Sequence, residues 1–219
     1  MARGTQGRPN ATKPTTVLFV RHGQTPTTGA VLPGRTPGLH LGDTGVKQAE
    51  QAARRIAELG SVAAVYSSPM ERARETAAPI ARACRLRVRT HKGLLECDFG
   101  DWTGKKLSGL RKLTAWGAVQ RHPSGFRFPR GESFAEMQTR MVGAVRDLTA
   151  AHPGETIVVV SHADTIKAAI ADAMGTHLDH FQRIIVSTCS ISAVVYGTEG
   201  TIVLTVNSTG DSLRALAPS

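Results

Sequence analysis

Aromatic residues are scarce in this sequence: six Phe, two Trp and two Tyr make up 5% of its 219 residues. A protein that reads single-stranded nucleic acid stacks bases on exposed rings set among basic side chains, so this scarcity argues against a nucleic-acid partner. Cysteine is scarcer still. Cys84, Cys97 and Cys189 are odd in number, widely spaced and without a CxxC pair, which points away from a disulfide framework and from a zinc site. They are expected as ordinary buried or semi-buried thiols of a reducing compartment. Long apolar runs are missing too. Stretches such as Ile157–Val160 are far too short to cross a bilayer, so no membrane partner is expected. No apolar run appears within the first fifteen residues, so the basic N-terminus does not resemble a secretory signal. A cytoplasmic location is the expectation.

What remains suits a globular protein: 41% hydrophobic and 20% charged residues, in a chain long enough for one sizeable core. No Pro/Gly/Ser-rich linker or charge run interrupts the middle, so one domain is expected over 15–219. Residues 1–14, with Arg3, Arg8 and Lys13, read as a flexible basic tail. Lys and Arg number 27 against 17 Asp and Glu, a net charge of +10. Part of that excess is local. Residues 105–130 hold Lys105, Lys106, Arg111, Lys112, Arg121, Arg127 and Arg130 and no acid. Such a segment attracts anions, whether a polyanion or a small phosphorylated molecule, and it can equally be a solvated basic face.

The apolar pattern alternates between two periods. Thr15–Val20 is a β-branched, nearly continuous apolar run, as expected of a buried parallel strand. Val46, Ala49, Ala53, Ile56 and Leu59 then recur at helical spacing, with Gly60 as the stop. Val62–Tyr66 reads as a second strand, and Ser67-Ser68-Pro69 as the start of a helix with serine as its cap. Residues 93–132 are irregular. Ser133 and Glu136 have capping-box spacing ahead of a stripe of Met137, Met141, Ala144, Val145 and Leu148. Ile157–Val160 is a third strand, followed by a helix carrying Ile166, Ala169, Ile170 and Ala173. Ser190–Tyr196 and Thr201–Val206 read as a hairpin around Gly197-Thr198-Glu199-Gly200. This alternation predicts a single α/β domain, with a mostly parallel central sheet flanked by helices on both sides.

In open α/β sheets, ligands sit beyond the carboxyl ends of the strands. Three strand ends here carry groups suited to phosphate: Arg21-His22, the helix start bearing Arg72, and His162. Arginine offers a planar fork of charged donors, and a helix N-terminus offers free N–H groups. Neutral histidine can attack phosphorus. Taken singly, each residue has a bland reading: a core histidine, or one member of a charged helix face. Together they make a site.

The same residues carry a family resemblance. Val17–Thr25, with Arg21-His22-Gly23, resembles the signature that opens the histidine phosphatase (phosphoglycerate mutase-like) superfamily. Leu41–Gly45 with Gln48-Ala49, Tyr66–Ala73 with Thr76, and Leu94-Leu95-Glu96 with Gly100, Trp102 and Gly104 resemble its later motifs. Pro129–Ser133 resembles a segment of the phosphatase branch, and Val159–His162 the second-histidine motif. The resemblance implies His22 as the nucleophile of a phosphohistidine intermediate. It makes Arg21, Arg72 and His162 holders of the phosphoryl oxygens, and Glu96 the general acid and base. Asp98 and Asp101 are nearby rivals for that last role. Gln24, Thr28, Arg35 and Ala163 are implied to line the phosphate or substrate site, and residues 105–132 to form a basic cap over the strand ends.

Two departures stand out: Thr27-Thr28 replaces a frequent Trp-Asn pair, and Ala163 a frequent Gly after the second histidine. No metal or other cofactor is implied, because the arginines supply positive charge, and a homodimer is common in the family. The implied reaction is hydrolysis of a small phosphomonoester, of sugar phosphate or phosphoglycerate type. A phosphoglycerate mutase is the alternative, although 105–130 lacks the longer segment of the mutases. A non-catalytic polyanion- or protein-binding module would be expected to have lost one of these residues, and none is lost. His177 and His180 are expected as surface histidines rather than a metal pair.

Overall fold

The computed structural model describes residues 13–210 and Leu213. The tail expected over 1–14 therefore lies outside the described residues, save for its last two positions. Six strands form one sheet: β1 (Thr15–Arg21), β2 (Ala64–Ser67), β3 (Val88–Thr90), β4 (Thr156–Ser161), β5 (Ile191–Gly197) and β6 (Gly200–Ser208). Their order is β3-β2-β4-β1-β5-β6. The first four run parallel; β5 is antiparallel to β1, and β6 returns antiparallel to β5. The predicted hairpin is present, and the sheet is mostly parallel as expected.

Period-two alternation on β1 divides the core. Val17 and Phe19 face α5 (Phe134–Ala150) and α6 (Ala163–Ala173), packing with Met141, Val145 and Ile170. Leu18 and Val20 face the other way, onto Ala53 and Ile56 of α1 (Asp43–Ala57) and Ala77 and Ile80 of α2 (Glu71–Ala83). All four β1 residues are fully buried, which is why the run reads as continuous apolar sequence. Helix α5 begins at the predicted box: Ser133 accepts from the Glu136 N–H, and Glu136 accepts from the Ser133 N–H.

One expectation needs correction, and one strand was missed. Helix α2 starts at Glu71 with Met70 as its cap residue, not at Ser67–Pro69, and no side chain caps it. Ser68 is engaged elsewhere, as shown below. The edge strand β3 escaped the sequence reading because it is short, and its Arg89 and Thr90 are exposed and carry no apolar signal.

Between β3 and α5 the chain forms two short helices, α3 (Leu107–Leu110) and α4 (Thr114–Arg121), with single-turn segments around them. This segment shares a core with α5 and α6, in which Trp102, Val119 and Phe128 pack with Phe134 and Met137 of α5, Ala168 of α6, and Phe181. Phe128 meets Trp102, Phe99 and Phe134 edge-on at centroid distances of 5.4, 4.9 and 5.1 Å, the favoured aromatic geometry. Seven of the ten aromatics gather in this shared core. The N–H groups of Gly104 and Leu107 donate to Leu32 and Ala30, which ties the cap to the loop leaving β1.

Candidate active site

Strand register brings the site together. Arg21 pairs with Ser161 across β1 and β4, and Ser67 with Val160 across β2 and β4, so three adjacent strands end at one level. The next residues along the chain are His22, His162 and Ser68. The rings of His22 and His162 lie 5.2 Å apart, edge to face. The loop after His22 is held against α1 by close backbone approach. A Cβ on Gly45 would sit 2.1 Å from the Gln24 carbonyl oxygen, so only glycine fits there.

His22 Nδ1 lies 2.8 Å from its neighbour's carbonyl oxygen, at Gly23. A carbonyl only accepts, so Nδ1 carries the proton and Nε2 holds a free lone pair. Burial pushes the imidazole pKa down to about 3, with the Arg72 and Arg21 charges adding to the effect. His22 is thus neutral throughout the physiological range. His162 is fully buried, and its Nε2 is 2.8 Å from Ser68 Oγ. Burial holds it well below the ordinary histidine range, again reinforced by Arg72.

Two guanidinium groups surround these rings. Arg72 is entirely buried; its Nη2 donates to the Gly34 carbonyl at 2.7 Å and to His162 Nδ1 at 3.3 Å. Arg21 donates through Nη1 to the Val186 carbonyl at 2.8 Å. Arg72 Nε and Nη1 and Arg21 Nε are buried with no hydrogen-bond partner. Buried cationic donors without acceptors are costly, and an anion placed between them removes that cost.

Glu96 is the buried carboxyl of the group, 7% exposed. Its pKa is raised to about 7, first by burial and then by the nearby Asp164, while the Cys97 N–H at 2.9 Å and both arginines pull the other way. The rival acids sit differently. Asp98 has a 43% exposed side chain and accepts from the Gly100 N–H, and Asp101 pairs with Arg130.

The loop bearing Glu96 is clamped chiefly by Arg140, which the sequence did not single out. Arg140 on α5 donates to the carbonyls of Gly93 and Leu95 at 2.8 and 2.9 Å, and forks onto both Glu132 carboxylate oxygens at 2.9 and 3.0 Å. Glu132 also accepts from the Asp98 N–H. Ser161 Oγ donates to the Leu94 carbonyl, joining β4 to the same loop. Arg140 gave no signal because a lone arginine on a helix reads as solvated.

The remaining predicted residues are nearby with differing roles. Arg35 directs Nε to the Glu96 carbonyl at 2.8 Å, and Nη2 lies 2.8 Å from Glu132, so it joins the clamp. The Thr28 hydroxyl accepts from the Thr25 N–H at 2.9 Å and closes its own turn. Gln24 is exposed, its N–H bound to Gln48, and Ala163 is the first residue of α6 directly after His162. His177 accepts from the Asp179 N–H and lies beside His180, with ring centroids 6.4 Å apart. Among the described residues no group of three His, Cys, Asp or Glu side chains could hold a metal ion. No helix among them is long and apolar enough to cross a membrane.

Residues 17–209 match the family model of the histidine phosphatase superfamily (branch 1). A bifunctional protein of Mycobacterium tuberculosis is 34% identical over 209 residues, which cover 90% of this chain and 55% of that protein. The chain thus spans about half the length of the first curated relatives it matches. A probable phosphoglycerate mutase of Proteus mirabilis is 32% identical over 183 residues, covering 82% of this chain and 84% of the relative. A solved structure of a phosphoserine phosphatase mutant from Entamoeba histolytica, in complex with phosphoserine, superposes with a TM-score of 0.80 at 26% identity. It covers 89% of this chain and 98% of its own.

Proposed function

The chain belongs to the histidine phosphatase superfamily (branch 1), and from that premise we propose that it hydrolyses small phosphomonoesters through a phosphohistidine at His22. One observation carries the reading: buried, unpartnered N–H groups of Arg21 and Arg72 surround an imidazole that stays neutral. Such donors suit the equatorial oxygens of a transferring phosphoryl group, where preorganised charge has its largest effect.

In the first step His22 Nε2 bonds to phosphorus as the ester P–O bond breaks, and the Glu96 carboxyl gives its proton to the leaving oxygen. A Glu96 pKa of about 7 keeps that proton available near neutrality. In the second step the resulting carboxylate takes a proton from water, whose oxygen bonds to phosphorus as the N–P bond breaks. Inorganic phosphate leaves, and Glu96 is again protonated. Positive charge comes from Arg21 and Arg72, so this chemistry has no need of a metal ion.

The substrate class is that of a small phosphorylated metabolite, of sugar phosphate or phosphoglycerate type. Phosphoserine, the ligand in the Entamoeba histolytica structure, belongs in the same panel. The cap presents Lys105, Lys106, Arg111, Lys112 and Arg121 as exposed cations for a second substrate charge, whereas Arg127 and Arg130 are paired with Glu136 and Asp101. We place the enzyme in the cytoplasm, in keeping with three free cysteines. We also propose a homodimer, for which exposed Ile202 and Leu204 on the edge strand β6 provide apolar surface.

The test is phosphate release from 3-phosphoglycerate, phosphoserine, sugar phosphates and p-nitrophenyl phosphate with chelator present. Release by the wild type and none by His22→Ala supports the proposal. Phosphate moved between hydroxyls without release assigns a mutase instead. No turnover on the whole panel overturns the reading.

A further inference from the structure

A cavity of about 540 Å³ opens on the α5–α6 face, at the end of the sheet opposite the histidines. It lies beside Thr15, the first residue of β1, whereas Arg21 is the last residue of that strand and His22 follows it. At about 3.3 Å per residue the two sites are roughly 20 Å apart, so an occupant of the cavity touches no group of the reaction.

Its walls are apolar where the helices face it: Val142 and Val145 on α5, and Ala169 on α6. Four threonines, Thr15, Thr149, Thr198 and Thr201, also line it, and its charged groups are few. Lys13 and Arg146 line it, both are exposed, and neither pairs with an acid among the described residues. Tyr196 lines it from β5, and its hydroxyl has no hydrogen-bond partner among the described residues. Asp172 is the one acid of the lining and lies near Tyr196. Two cations against one acid leave the rim net positive. The volume falls within the range of pockets that hold small molecules, and apolar walls with a few convergent polar groups are their usual composition.

We propose that this cavity is a second binding site, for an amphipathic anion: an apolar or aromatic body carrying one carboxylate, sulfonate or similar group. The apolar body lies against Val142, Val145 and Ala169, while the charge meets Arg146 and Lys13. The basic character of residues 1–12, which contain Arg3 and Arg8, makes that segment a poor occupant for a positive rim. This inference goes beyond the proposed hydrolase and does not depend on it.

The test uses the full chain and 8-anilinonaphthalene-1-sulfonate, an aromatic anion whose fluorescence rises on transfer from water. Saturable binding is expected, unchanged by His22→Ala and by millimolar inorganic phosphate. Arg146→Glu, a surface change that keeps the fold, should weaken it by roughly fivefold, the worth of about one exposed charge contact. Val142→Trp should abolish it by filling the cavity, and N-phenyl-1-naphthylamine, the uncharged counterpart, should bind more weakly. Wild-type affinity in Arg146→Glu, or equal binding of the charged and uncharged probes, overturns the anion site. Binding that phosphate displaces places the probe at the histidines and also overturns it.

Discussion

Arg72 donates through Nη2 to His162 Nδ1 at 3.3 Å, and this contact sets the protonation of the second histidine. A guanidinium has no acceptor, so Nδ1 must present a lone pair, and the ring proton resides on Nε2, aimed at Ser68 Oγ. One buried cation thereby orients a histidine while keeping two further nitrogens, Nε and Nη1, free to donate to an anion.

Lysine cannot reproduce that fork. Arg72→Lys keeps a charge but loses the planar donors that reach Gly34, His162 and the anion together. The expected loss in kcat is about a hundredfold or more, the scale of removing one preorganised donor. Steady-state kinetics on the best substrate measure it.

The pH profile follows from two displaced groups. His22, at about 3, is already the free base at any physiological pH, whereas Glu96, at about 7, must be protonated to serve the leaving group. The profile of kcat/KM should therefore stay flat across mildly acidic pH and fall above about pH 7. Glu96→Gln should lose most activity on alkyl phosphates but retain more on p-nitrophenyl phosphate, whose leaving group needs little protonation.

The same carboxyl predicts a stability effect. Its folded pKa of about 7 lies above the ordinary 4.5, so folding binds a proton in that window. The stability it contributes is fully present below about pH 4.5 and is lost as pH rises through 7. Glu96→Gln should thus raise Tm at pH 8 relative to wild type, with the difference shrinking toward pH 5. Thermal unfolding at the two pH values tests this, and a variant less stable at pH 8 contradicts it.

Ser68 serves the site by accepting from His162. Ser68→Ala leaves a buried N–H without a partner and should cost about 1–3 kcal/mol of stability. Urea unfolding at pH 7 measures the loss.

Much of this site was legible in the sequence, for a physical reason. β1 and β4 are buried on both faces and read as unbroken apolar runs, so their ends, and with them His22 and His162, could be located. The Ser133–Glu136 box was legible because a cap is a local interaction of four residues. Ser68 was not: its hydroxyl looked like a cap, but its partner His162 is 94 positions away. Arg140 was hidden likewise, because its pairing with Glu132 depends on how α5 packs against the Glu96 loop. Arg35 was placed near the site, but only the fold shows that the Glu96 carbonyl and Glu132 occupy its guanidinium.

The central claim is that phosphate passes through His22. The most direct measurement is intact and peptide mass spectrometry of enzyme quenched in alkali during turnover, conditions under which a phosphohistidine survives. The account predicts one added phosphoryl group, located on the peptide containing His22 and absent from His22→Ala. A phosphoryl group on any other residue, or undiminished phosphate release by His22→Ala, would contradict it.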